Sequence, residues 1–109
     1  MENAQLELLR RLTLSDEHVL SQVISGQTVE RPLLDEKTSA LVRLAGQVAM
    51  EGNVASFQWA VDAALAAGAE DAEIVDVLLA IASIVGLARV NAATRTLATA
   101  LGYPLDRER

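Results

Sequence analysis

The sequence contains no cysteine. Thiol peroxidase and disulfide chemistry need a thiolate nucleophile, usually with a second thiol to resolve the intermediate, so neither can proceed on this chain. The redox compartment stays open, because a cytosolic protein needs no disulfide and a periplasmic one can do without. Aromatic residues are 3% of a composition that is 51% hydrophobic, so a core must be assembled from Ala, Leu, Val and Ile. Small side chains of this kind favour close helix–helix packing. Six glycines and two prolines are too little turn punctuation for a many-stranded fold.

Histidine occurs once, at His18, among acidic neighbours at the start of a helical segment, where it reads as a solvated surface residue. A lone imidazole without His, Cys, Asp or Glu partners at ligand spacing gives no metal site. Ser15, Ser25 and Ser39 lack a Gly-x-Ser-x-Gly context, and Gly26, Gly46 and Gly52 are isolated rather than part of a phosphate-binding loop. Neither metal nor cofactor is therefore expected, and nucleophilic catalysis has no support. Nine Lys and Arg stand against fifteen Asp and Glu, for a net charge of −6 and a pI of about 4.6. With no Lys/Arg run to make a basic face, a nucleic-acid partner is not expected. The longest weakly polar run, Val77 to Ala88, is far short of the ~20 residues of a membrane span. Met1 to Leu6 lacks the basic and apolar regions of a signal peptide, so a cytoplasmic location is expected.

What the chain does have is helical periodicity nearly throughout. A compact domain of this length buries roughly 60–70% of its unfolded surface without staples, and one compact domain overall is the natural count. Glu2 to Thr13 carries an apolar stripe of Leu6, Leu8, Leu9 and Leu12, and Ser15 offers an N-cap for a second helix from Asp16 to Ser25. Gly26 to Pro32 reads as a loop. Asp35 is the expected N-cap of a long helix to about Glu51, with Leu41, Leu44, Ala45 and Val48 on one face and Arg43, Gln47 and Glu51 on another. The polar stripe reads as solvent-exposed and salt-bridged, or, for Gln47 and Glu51, as part of a pocket mouth.

The next helix runs from Asn53 to about Ala67, with Gly68 as the left-handed residue that ends it. Val54, Phe57, Val61, Ala64 and Leu65 are its expected core face. Ala55, Trp59, Ala63 and Ala66 make the opposite side apolar as well, which requires a second partner. Helices from Asp71 to about Val85 and from Leu87 to Leu101 follow, separated by Gly86 and closed by Gly102. The expected fold is all-α with about six helices.

Leu34-Asp35-Glu36-Lys37-Thr38, the helix Asn53 to Gly68 with its Ala-Val-x-Ala-Ala-Leu-x-Ala-Gly ending, Glu73-Ile74-Val75-Asp76-Val77-Leu78 and Val85-Gly86-Leu87-Ala88-Arg89 together resemble the carboxymuconolactone decarboxylase-like family, which includes the alkyl hydroperoxidase D (AhpD) type proteins. The resemblance covers Leu33 to Pro104, roughly two-thirds of the chain. It implies an AhpD-like helical domain over residues 33–109, an N-terminal helical extension over 1–32, and a homo-oligomer, trimer or hexamer. In the family's redox branch the pocket helix carries Glu-x-x-Cys-x-x-Cys-x-x-x-His; Met50, Asn53, Ser56 and Ala60 stand at those four places here. The decarboxylase branch lacks the Cys pair but keeps the His. Alanine at position 60 cannot carry a proton.

Three functions follow as expectations. The first is a cysteine-independent, lyase-like enzyme on a small organic acid or lactone, with Gln47, Glu51, Asn53, Ser56 and Arg89 as candidate pocket residues. The second is a catalytically inactive oligomeric binding or scaffold protein. The third, an AhpD-like peroxidase, is disfavoured by the missing thiols. Asn53, Ser56 and Ala60 share a helical face and read either as a site or as a close-packing surface. Arg89 reads as a carboxylate holder or as a partner for one of the acidic residues. Trp59 is the expected subunit contact, with burial beneath the chain's own N-terminal helices as the alternative.

Overall fold

The computed structural model describes residues 3–25 and 33–103, all of whose regular elements are helices. They are α1 (Asn3–Thr13), α2 (Glu17–Ile24), α3 (Glu36–Ala49), α4 (Val54–Ala66), α5 (Asp71–Val85) and α6 (Leu87–Leu101). The expected loop from Gly26 to Pro32 lies outside the described residues. The chain divides into two compact units, Met1–Leu33 and Leu34–Arg109.

In the first unit α1 packs on α2, and Val19 is the one buried side chain among the described residues. The expected leucine stripe of α1 is largely uncovered: Leu6, Leu9 and Leu12 are exposed. The second helix is capped one residue later than the sequence suggests. Ser15 has φ +56, and its N–H bonds to the Leu12 carbonyl while the Asp16 N–H bonds to Arg11, which closes α1. A residue so committed cannot take the extended conformation of an N-cap. Asp16 takes it instead and accepts from the His18 and Val19 N–H groups.

The second unit is a bundle in which each of α3, α4, α5 and α6 contacts the other three. Its core is Ala40, Leu44 and Val48 from α3, Phe57, Ala60, Val61 and Ala64 from α4, Ile74 and Leu78 from α5, Ala93 and Leu97 from α6, and Ala69 from the α4–α5 turn. Spacings of three and four residues give each helix one buried stripe. The face of α4 is rotated from its expected position. Val54 and Leu65 are 68% and 38% exposed, whereas Ala60, expected beside a site, is 2% exposed. Phe57 sets the buried face, and 60, 61 and 64 follow it at helical spacing; Val54 sits in the first turn, at the edge of the bundle.

Two backbone features place the polar residues used below. α3 ends before Glu51, which takes φ +53 while its N–H bonds to Val48 and the Gly52 N–H bonds to Gln47. The C-terminal turn thus swings Glu51 off the helical face expected for it. A single residue, Gly86, links α5 to α6 at φ 90 and ψ 156, a conformation open essentially to glycine alone. That link sets the direction of α6 and hence of Arg89 in its first turn.

The start of α3 is tied to the start of α5. Asp35 Oδ1 accepts from the Thr38 N–H at 2.7 Å, and Glu73 accepts from the Glu70 N–H at 2.9 Å and from Lys37 Nζ at 3.0 Å. The Thr38 amide holds the Asp35 carboxyl below its ordinary value of 3.8. The Glu70 amide, with Lys37, does the same for Glu73 relative to 4.5. Both folded-state values are lowered, so the stability they contribute is complete above the unfolded values and is lost as pH falls through the folded ones. The thermal midpoint is therefore expected to fall as pH drops below the ordinary carboxylate range, and Asp35→Asn with Glu73→Gln should flatten that fall. Calorimetry from pH 7 to 2 with an undiminished slope in the double variant would contradict this.

Candidate functional site

The C-terminal end of α3, the first turns of α4 and one face of α6 enclose a groove of about 230 Å³. Gln47, Glu51 and Arg89 supply its polar groups. Val48, Val54, Phe57, Ala92 and Ala93 supply apolar wall, with Gly52 and Thr96 completing it. Arg89 reaches the groove because α6 starts at Gly86, and residues 89, 92, 93 and 96 share one helical face. Its Nε donates to Glu51 Oε2 at 3.0 Å, and its Nη1 donates to the Val85 carbonyl at 3.3 Å. Both partners of the pair stand substantially in water, with side chains 47% and 60% exposed. An ion pair in that setting stabilises little.

Gln47 lies at the last turn of α3 with its side-chain carboxamide folded against Gly52. A Cβ on Gly52 would collide with Gln47 Oε1, while the remainder of its surroundings leaves room. Glycine here serves close approach of a side chain rather than a turn. The obstacle is the far end of a flexible group, so the fold itself does not require glycine at this position.

Of the five candidate pocket residues, Gln47, Glu51 and Arg89 line the groove, and Asn53 and Ser56 do not. Asn53 is the N-cap of α4, and its Oδ1 accepts from the Ser56 N–H at 2.8 Å. That bond engages both the Asn53 side-chain oxygen and the Ser56 amide in capping the first turn of α4. Met50 is 81% exposed at the end of α3, and Ala60 is in the core, so the four family-matched places do not converge on one cavity. Arg43, on the same expected stripe as Gln47, is exposed and outside the groove. The α6 wall residues Ala92, Ala93 and Thr96 went unrecognised in the sequence, although their spacing from Arg89 carries the signal.

A second concavity, about 250 Å³, lies within the N-terminal unit and includes Glu7, Arg11, His18 and Gln22. Glu7 is already engaged by Arg10 at 2.9 Å and Arg11 at 3.1 Å, which lower its pKa, with the Arg10 hydrogen bond the larger cause. Among the described residues there is no cluster of three or more His, Cys, Asp or Glu that could hold a metal ion. None of the described helices is long and apolar enough to cross a membrane. No protein-family model, curated protein or solved structure matches the chain.

Gly52→Ala should displace the Gln47 carboxamide while leaving the protein as stable as before or up to about 1 kcal/mol more so, because the unfolded chain loses freedom. The Gln47 side-chain amide resonances should move and the thermal midpoint should not drop. A midpoint lowered by many degrees would mean that the backbone, not the side chain, makes the close approach.

Proposed function

We propose that this chain is a carboxymuconolactone decarboxylase-like protein whose α3–α4–α6 groove takes a small organic acid or lactone. The observation that carries this reading is the meeting of a guanidinium, a carboxamide and a carboxylate on one apolar-walled groove. Arginine suits a carboxylate because its planar fork offers two parallel N–H donors. At about 230 Å³ the groove is smaller than the ~300–1,000 Å³ of sites for drug-sized ligands, which fits a ligand of few heavy atoms.

Lyase-like chemistry at this place would fall to Glu51, the one carboxylate in the groove wall, as the group that moves a proton. Peroxidase chemistry of the AhpD type has no thiol to run on. In a titration with benzoate, the amides of Gly52, Val54, Ala92 and Ala93 should shift together, and Arg89→Gln should weaken binding about tenfold, the loss of one charge-assisted contact. Shifts confined to other parts of the chain, or an unchanged affinity in Arg89→Gln, would refute the site.

The second reading, an oligomeric binding or scaffold protein, draws support from apolar surface. Trp59 is 66% exposed on α4, and Leu79 and Ile84 are 71% and 83% exposed on α5. Large exposed apolar side chains are what an association surface is built from. We propose a homo-oligomer, a trimer or hexamer, with Trp59 in a subunit contact. Light scattering should give a multiple of the 11.6 kDa chain mass, and Trp59→Arg should lower it by placing an unpaired charge in an apolar contact. A monomeric wild type ends the oligomer proposal, and an unchanged mass for the variant ends the role of Trp59.

A further inference from the structure

We infer that Glu51 is an internal competitor for the ligand of the groove: its carboxylate occupies Arg89 in the free protein and is displaced when an external carboxylate binds. The inference rests on the proposal that Arg89 is the carboxylate-binding group.

The geometry of the pair is what makes displacement favourable. Glu51 engages Arg89 through one contact, Oε2 to Nε at 3.0 Å. The side edge of a guanidinium carries two parallel donors, Nε–H and Nη2–H, and a carboxylate seated there uses both. Glu51 therefore leaves half of that edge unused. The end nearer the helix is already held, with Nη1 on the Val85 carbonyl at 3.3 Å, so the guanidinium stays oriented when Glu51 leaves. A carboxylate arriving with an apolar tail gains the second hydrogen bond and contact with the exposed Val54 and Ala92 of the wall. What it must break is an exchange-ready pair, since both side chains are about half exposed or more.

Glu51 also sits where backbone preference does not ask for glutamate. Its φ is +53, and the equivalent left-handed positions after α4 and α6 are Gly68 and Gly102. Ser15 after α1 shows that a non-glycine residue is tolerated there, at some cost. The turn does not need the Glu51 side chain: it is held outside the helix, beside the groove, and removing it leaves α3 able to end in the same way with glycine.

The sign of the expected effect separates this role from that of an ordinary wall residue. If Glu51 helped to hold the ligand, its removal would weaken binding; as a competitor, its removal tightens it. The expected size is that of an exposed ion pair, about two- to fivefold in affinity. The full chain, wild type and the variants Glu51→Gln, Glu51→Gly and Arg89→Gln, is titrated with benzoate and with its neutral counterpart benzamide, following backbone amide shifts. Thermal midpoints establish that each variant is folded.

Glu51→Gln, nearly isosteric with the wild type, should bind benzoate two- to fivefold more tightly and benzamide no differently. Glu51→Gly should show at least the same gain for benzoate. The gain should vanish when Arg89→Gln is added. Unchanged or weaker benzoate binding in both Glu51 variants, with wild-type binding still sensitive to Arg89→Gln, overturns the competition and leaves the binding site standing. An equal gain for benzamide also overturns it, because relief would then be steric rather than ionic. Benzoate binding indifferent to Arg89→Gln, or no binding in any variant, overturns the site and the competition together.

Discussion

Close helix approach through alanine is the constraint on which the C-terminal bundle depends. With one Phe, one Trp and one Tyr in the sequence, bulk cannot fill the space between helices, so the axes must come together until small side chains touch. Ala40, Ala60, Ala64 and Ala93 are buried between the helices together with Leu44, Val48, Val61, Ile74 and Leu78. Packing at crystal-like density then leaves few voids. The groove beside Gln47 lies where that close approach gives out, at the end of α3, where the chain turns away into Glu51 and Gly52 and α6 is only beginning.

The polar residues are set by the ends of helices rather than by their faces. A C-terminal turn carries Glu51 out to Arg89, a one-residue link at Gly86 aims the first turn of α6, and Asn53 starts α4 by capping it. Each device satisfies backbone groups that the helices leave over. The consequence is that groups 38 residues apart in sequence meet at 3.0 Å without any buried charge. No side chain with a charge lies in the core among the described residues, which keeps the cost of the site off the bundle's stability.

The all-helical architecture is legible in the sequence because stripes at three- and four-residue spacing and capping residues agree with one another. Asp35 before α3 and Gly102 after α6 are where side-chain chemistry alone puts them. The rotation of α4 is less legible. Alanine and valine on several sides of that helix give no strong contrast, so whether 54 or 60 faces the core depends on the neighbouring helices. Ser15 and Glu51 are illegible for a related reason: propensity assigns left-handed turns to glycine, and nothing local announces that a serine or a glutamate will take one. Extending the α3 stripe straight to Glu51 brings it near Gln47, but only the turn brings it to Arg89. Asn53 and Ser56 look like site residues because their spacing is helical, yet the same spacing is that of a cap.

Charge bears on what the groove can select. A chain of net charge −6 repels anions at long range, but at physiological salt that repulsion is screened within about 8 Å. Attraction must then be local, and in this groove it comes from a single guanidinium beside a carboxylate. One such contact, made in water, is weak. For a ligand of the proposed kind, the exposed part of the apolar wall, Val54 and Ala92, is what remains to supply affinity, in proportion to the apolar area that it covers. A compact, strongly hydrated anion such as phosphate meets the repulsion and gains little from that wall, whereas a carboxylate with an apolar body meets the same repulsion and gains from both. On the proposed reading, the groove would therefore discriminate by the tail of an organic acid more than by its charge.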